Sequence, residues 1–556
     1  IDSETFITCE NLTSVKLPES MTKIGSFAFR LCTNLTSINI PSGVIDIGQN
    51  AFMECSELES IELPSGLTTI SQHLFQDCKK LSSITIPSGV TTIEPYAFSG
   101  CESLTKVEGA SAVTDIGEYA FRNCTSLNTM PWPSGLTSIG YRAFKNCKFR
   151  KLILPDNVRE TGEEAFAENA DLRSVVLPAG LETVSTGMFS ECRKLNSVTL
   201  PDSIIAIGNN AFNSTNSLKK IELPKRLIKI GDNAFEFAGT TDFSLPEGLK
   251  SIGKNAFSNT VFTEIVLPEE LNTLGAGAFS GNRHLESIVI PKNITKLDGT
   301  FSGGSGLKSV TLPDGLTEIK GAFSGCTSLE TITLPASVTT IGEQAFYDSG
   351  LRDVELPENL VSIGYEAFAD CCFNNITLPE KLENVDTNAF RGNYIHGIYI
   401  PGTNVCFETD AIVKNNYLVI IGEAGSTAET YAKDNDIYFH NVADTPAYQE
   451  ATESTCAKEG NIEYWHCDVC GQDFGNAEGT KVATYIKVQK LPHDKEVVYR
   501  KEPTCTEDGF EIHFYCKNCQ KNYENSSNYD STEATDITIS ATGHKEVIDE
   551  AVEPTC

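Results

Sequence analysis

Two stretches late in the chain carry the residue types and spacing best suited to chemistry. The first holds Cys456, Cys467-Asp468-Val469-Cys470 and His493; the second holds Cys505, Cys516-Lys517-Asn518-Cys519 and His544. Both read C-x10-C-x2-C, with a His more than twenty residues later. Three thiolates and an imidazole make a closed tetrahedral set suited to structural zinc, and four protein ligands leave no open position for a substrate. Units of about 50 residues with thin apolar content need such a staple. The rival is a disulfide formed in an oxidising exterior, which leaves an odd Cys in each unit. A redox role for C-x2-C is disfavoured because no βαβ pattern surrounds it. His440 precedes Cys456 by 16 residues, whereas His493 and His544 each precede the next Cys by 12, so the trailing His is the expected fourth ligand. A third unit opens at Glu553-Pro554-Thr555-Cys556.

Most of the chain lies upstream of these units and repeats one phrase. In Ala28-Phe29-Arg30-Leu31-Cys32-Thr33-Asn34-Leu35-Thr36-Ser37-Ile38-Asn39-Ile40-Pro41, continuing through Val44, Ile47 and Gly48, the pattern is A-F-x-x-C-x-x-L-x-x-I-x-L-P-x-x-L-x-x-I-G. The Phe recurs 18 times from Phe6 to Phe390, always 22 or 23 residues apart. A fixed period in the twenties marks a leucine-rich solenoid. Ile38 and Ile40 alternate with Ser37 and Asn39, so the first pair is expected inside and the second outside a short strand. The following Pro cannot donate to a strand ladder and ends it. Val44 and Ile47 supply further inward residues, and Gly48 suits a tight bend. No single coil buries these residues; stacking does. With parallel strands ~4.8 Å apart, the array spans roughly 85 Å.

The outward columns are what a partner meets. Ser37, Asn39, Ser60, Glu62, Ser83, Thr85, Ser197 and Glu222 stand on them and are the candidate binding residues, beside apolar members such as Val176, Val266 and Val289. A solvated sheet face that merely tolerates β-formers is the bland alternative. Ten cysteines fall three residues after the Phe: Cys9, Cys32, Cys55, Cys78, Cys101, Cys124, Cys147, Cys192, Cys326 and Cys371. The same place elsewhere takes Asn169, Thr215, Ala238 or Gly304, so a small buried thiol is expected there rather than a disulfide or metal ladder.

The repeated phrase resembles the BspA-type (Treponema pallidum-type) leucine-rich repeat over roughly the first 400 residues. That resemblance implies a right-handed solenoid displayed outside the cell, adhesion to host or bacterial proteins, and no catalytic residues. The C-terminal units resemble Cys/His-rich repeats appended to bacterial surface proteins.

The expected architecture is a β-rich solenoid, a leucine-rich repeat array of about 18 coils with stacked parallel strands, then small Cys/His modules with little regular structure. Its divisions are a solenoid over 1–403, a cap over 404–441, Cys/His modules over 442–495 and 496–545, and a truncated third over 546–556. In the cap, Ser426 and Glu429 form a capping-box pattern for a helix through Lys433, followed by a closing strand Ile437 to Phe439. The formal charge of −32 repels phosphate backbones and anionic headgroups, so nucleic acid is not an expected partner. No apolar run reaches the ~20 residues of a membrane span. The leading expectation is a monomeric, non-enzymatic cell-surface or secreted adhesin. Its partners would be host or bacterial surface proteins or glycans, and its only cofactor structural zinc in the terminal modules. The alternatives are a structural surface-layer protein without a specific ligand and an extracellular hydrolase; no nucleophile elbow, zincin helix or phosphate loop supports the last.

Overall fold

The computed structural model describes residues 1–241, 243–504, 507–510, 513–523 and 538–539. The chain divides into two compact units, Ile1–Ile395 with Pro401–Asn415, and His396–Ile400 with Asn416 onward.

In the first unit each period forms one coil with two short strands. Ser37–Asn39 pairs in parallel with Ser60–Glu62 one period later, with Ile38 opposite Ile61. Ile38 and Ile40 are buried, and Ser37 and Asn39 are exposed, as the alternation requires. The second strand was not expected from sequence. Asp46–Ile47 pairs in parallel with Lys23–Ile24, and the same position builds a five-stranded ladder through Thr69–Ile70, Thr92–Ile93, Asp115–Ile116, Ser138–Ile139 and Glu160–Thr161. Two residues are too few to show a period-two pattern, so only stacking reveals them as a sheet. The glycine after the inner Ile serves close approach: a Cβ on Gly48 would lie 2.5 Å from the Ser26 backbone nitrogen of the preceding coil.

The third side carries the Phe. Phe27, Phe29 and Leu31 donate backbone N–H groups to the carbonyls of Gln49, Ala51 and Met53 in the next coil, at 2.8–3.0 Å. The residues two before and two after each Phe are left-handed, as at Phe27 and Leu31 (φ 60° and 62°) and again at Asn388 and Gly392 (φ 58° and 76°). This pair of reversals turns the chain so that the Phe points inward. Every marker ring from Phe6 to Phe390 then stacks on the next, with centroids 5.0–6.2 Å apart.

Nine of the ten column cysteines are buried, Cys9 alone being exposed, and none is in a disulfide. Their thiols have a task beyond filling space. Cys55, Cys78 and Cys101 each donate to the carbonyl of the Phe in the preceding coil (Phe29, Phe52 and Phe75) at 3.1 Å. Asn169 and Asn282 donate to the equivalent Phe144 and Phe257 carbonyls at 2.9 and 2.8 Å. The position takes a small residue, and where that residue is Cys or Asn its side chain donates across to the preceding coil.

The second unit begins with three parallel strands. Val419–Gly422 pairs in parallel with Gly397–Ile400 on one side and Tyr438–Asn441 on the other. Between them lies a helix, Thr427–Asp434, capped by Ser426. Glu429 reaches back to the Gly425 N–H at 2.6 Å, one residue before the cap, so the capping box closes slightly early. Two antiparallel three-stranded sheets follow: Ala447–Gln449, Tyr464–His466 and Asp473–Phe474, then Lys495–Val498, His513–Cys516 and Lys521–Tyr523. No helix among the described residues is long and apolar enough to cross a membrane.

Candidate functional site

Each C-x2-C sits at the tip of a hairpin, between the second and third strands of its sheet. The tip is closed by a bond from Gly471 N–H to the Cys467 carbonyl (2.7 Å), and by its counterpart from Gln520 to Cys516 (2.9 Å). Gly471 and Gln520 are both left-handed (φ 71° and 58°), which points the two sulfurs of each tip the same way.

The structure groups the ligands differently from the expected sets. Cys456, His493, Cys516 and Cys519 come together, with their donor atoms all within 4.8 Å of one another. His440, Cys467 and Cys470 form a second group on the same criterion. Cys456 and His493 therefore leave the C-x2-C of their own sequence unit and join the next one. Cys505 and His544 lie outside the described residues. His440, set aside on spacing, is fully buried on the strand Tyr438–Asn441, with Nδ1 3.3 Å from the Cys470 sulfur. The leading His is the one each hairpin uses: His440 on the strand Tyr438–Asn441, and His493 in the linker two residues before Lys495. The sequence signal was its place in the apolar run Ile437-Tyr438-Phe439-His440.

The two groups match in detail. His440 lies 4.5 Å from the Phe474 ring, and His493 lies 4.5 Å from the Tyr523 ring, each aromatic on the third strand of its own hairpin. The Tyr523 hydroxyl stands 3.1 Å from the Cys519 sulfur, as an outer partner that would steady a bound thiolate. His466, beside Cys467, is held by Asp473 at 2.6 Å and does not enter its group.

Distances in the four-residue group fit a tetrahedral ion. With Zn–S near 2.3 Å and Zn–N near 2.05 Å, a tetrahedron has S···S edges of about 3.8 Å and S···N edges of about 3.6 Å. The Cys456 and Cys516 sulfurs are 3.8 Å apart, and the Cys519 sulfur lies 3.6 Å from His493 Nδ1. Burial raises the Cys516 thiol, but backbone amides of Cys519 and Asn518 and the His493 ring outweigh it and bring it down to about 6. Burial, then the neighbouring Cys519 and Cys516 thiols, push Cys456 up to about 12. Three thiolates side by side need a cation to coexist, and a bound metal supplies that charge.

On the first unit the eight candidate face residues, Ser37, Asn39, Ser60, Glu62, Ser83, Thr85, Ser197 and Glu222, are all exposed. Ser37 and Asn39 stand in register with Ser60 and Glu62, and Ser174 with Ser197. The same face also exposes Ile153 (49 %), Val176 (37 %), Val266 (81 %) and Val289 (63 %), with Ile153 and Val176 directly paired.

A coil of this length, with a stacked Phe column and two parallel ladders, defines a leucine-rich repeat solenoid. A family profile described as a BspA type leucine rich repeat region matches residues 1–128, 91–219, 184–300 and 298–419. The chain belongs to that family. Among solved structures it is similar to a leucine-rich repeat protein from Bacteroides ovatus, at 28 % identity over 66 % of this chain and 88 % of that one, with a TM-score of 0.46. It is also similar to a leucine rich cell surface protein from Faecalibacterium prausnitzii, at 27 % identity over 60 % and 82 % of the two chains and a TM-score of 0.32. A leucine rich repeat protein from T. pallidum is 28 % identical over 37 % of this chain and 78 % of its own, with a TM-score of 0.21. A comparison with curated proteins found no match.

Proposed function

We propose that this protein is a non-enzymatic, cell-surface adhesin whose solenoid strand face binds proteins or glycans of a host or neighbouring bacterium, while zinc-stapled C-terminal modules act as a stalk. One observation carries this reading. The strand face keeps its outward side chains in register over many coils and interrupts a Ser/Thr/Asn/Glu surface with exposed Ile153, Val176, Val266 and Val289. β-Branched side chains in the open give a partner apolar anchors within a polar surround. Binding then rests on many modest contacts across a repeated surface, as solenoids use elsewhere. Membership of the repeat family supports a binding scaffold over a catalyst. A purely structural surface layer would give those valines no purpose.

The test is capture of immobilised extracellular-matrix proteins and mucins by the full chain, compared with a Val266→Glu/Val289→Glu variant. The variant should bind at least tenfold more weakly while its far-UV circular dichroism stays unchanged, because both side chains point to solvent. An absence of wild-type binding above background sinks the adhesin reading. Equal binding by the variant moves the site off this face. Elemental analysis should find about two zinc ions per chain.

A further inference from the structure

We propose that one metal ion ties the two antiparallel sheets of the C-terminal unit together, its ligands being Cys456 from the first sheet and His493, Cys516 and Cys519 from the second. This rests on the zinc reading above but adds a topology that reading does not contain: the ion is a joint between consecutive modules, not a staple within one.

The backbone explains how Cys456 and His493 reach this place. Cys456 lies on the connection between Ala447–Gln449 and Tyr464–His466 of the first sheet, at the end away from the Cys467–Cys470 tip. The chain leaving that sheet returns alongside this connection, where Lys487–Val488 pairs antiparallel with Gly460–Asn461. A bond from the Leu491 N–H to the Thr455 carbonyl at 3.1 Å then sets Leu491 beside Cys456, two residues before His493. The second sheet starts at Lys495, and Lys495 pairs with Cys516. Backbone pairing thus sets the first ligand, the linker and the second hairpin side by side. Sixty residues separate Cys456 from Cys516, so the ion closes a long loop.

The packing agrees. Cys456, Cys516 and Tyr523 form a small buried cluster with Phe514 and Cys519 against it. Cys467 belongs to another cluster, with Val419, Ile421, Phe474 and Val482. That first cluster anchors its hairpin to the closing strands of the same unit and offers only three ligands, His440, Cys467 and Cys470, among the described residues. The two centres therefore differ in kind: a three-thiolate joint, and a two-thiolate anchor.

The experiment maps thiol protection in the zinc-loaded full chain by N-ethylmaleimide labelling and peptide mass spectrometry. Cys470 and Cys519 are the reporters, since both are only half-buried and a bound ion would shield them. In Cys456→Ser, Cys519 labelling should rise at least tenfold, Cys470 labelling should stay at the wild-type level, and one zinc should be lost. Cys467→Ser should do the reverse, exposing Cys470 and sparing Cys519. Buried solenoid thiols such as Cys101 and Cys124 report whether either variant unfolds the rest of the chain. Labelling of Cys470 in Cys456→Ser, or an unchanged Cys519, overturns the joint while leaving zinc binding intact. A wild-type chain that carries no zinc, with Cys470 and Cys519 equally reactive before and after chelation, overturns the zinc reading itself.

Discussion

At the scale of single residues, the solenoid repeats two economies: a small Cys or Asn donor under many of the Phe carbonyls, and charge pairs spaced one coil apart. Most of the pairs are exposed and contribute little. Glu164 is the exception. Arg142 clasps it with two bonds at 3.0 and 2.7 Å, and Lys145 adds a third at 2.6 Å. Burial works to raise the Glu164 carboxyl, yet these cations win and hold it below its usual value. A group whose native pKa is lowered contributes stability above its unfolded value of about 4.3, and that contribution fades as pH falls through the native value. Glu164→Gln should therefore cost about 1–2 kcal/mol at pH 7 and less at pH 3, below the unfolded value. Urea unfolding at the two pH values, followed by Trp132 beside Phe144 and Phe166, reads the difference. A cost that persists undiminished at pH 3 would mean that packing, not charge, is what Gln disturbs.

At the scale of the coil, the two left-handed positions around each Phe decide whether the third side can form. Holding an L-residue there costs about 1–2 kcal/mol unless it is Gly, and Asn tolerates it best among the rest. Asn210 sits at one such place with φ 55°. Asn210→Gly should leave stability within about 0.5 kcal/mol, while Asn210→Val should lose about 1–2 kcal/mol, because a β-branched side chain resists this conformation. Equal midpoints for the two variants in thermal unfolding would show that the turn does not need a left-handed residue. These positions also show what the sequence made legible. The inward Ile, Leu and Phe were readable because their spacing is their physics. The left-handed columns were not, since Glu4, Phe27, Asn50, His73, Tyr96 and Gly187 share no side-chain chemistry. The two-residue strand at Asp46–Ile47 was hidden for a related reason, being defined by hydrogen bonds between coils. In the metal groups the ligand types were legible but the partnership was not. Spacing along the chain favoured the trailing His, whereas backbone pairing delivers His440 and His493 to the hairpins that follow them.

At the scale of the whole molecule, the two units draw stability from different sources. The first is a continuous apolar column of 18 Phe rings, with a core that grows coil by coil. In the second unit, beyond Asn441, the buried apolar residues among those described are few: Phe474 and Val482 in one cluster, Tyr523 in the other, each beside the cysteines that would hold an ion. Modules so thinly packed would gain free energy from a bound metal, because unfolded thiols hold an ion less well than a formed site. The sequence supplies a reporter for each source. Its two tryptophans are Trp132, in the coils, and Trp465, packed on the first hairpin beside Cys467. In single-tryptophan variants, Trp132→Phe and Trp465→Phe, urea unfolding before and after chelation should give two different answers. The Trp465 midpoint should fall by several tenths molar or more on chelation and recover with added zinc. The Trp132 midpoint should not move, since among the described residues no ligand group lies in the coils it reports. A chelation shift at Trp132 would place metal in the solenoid; a fixed Trp465 midpoint would leave the hairpins standing without it, and with them the argument that the ion is structural.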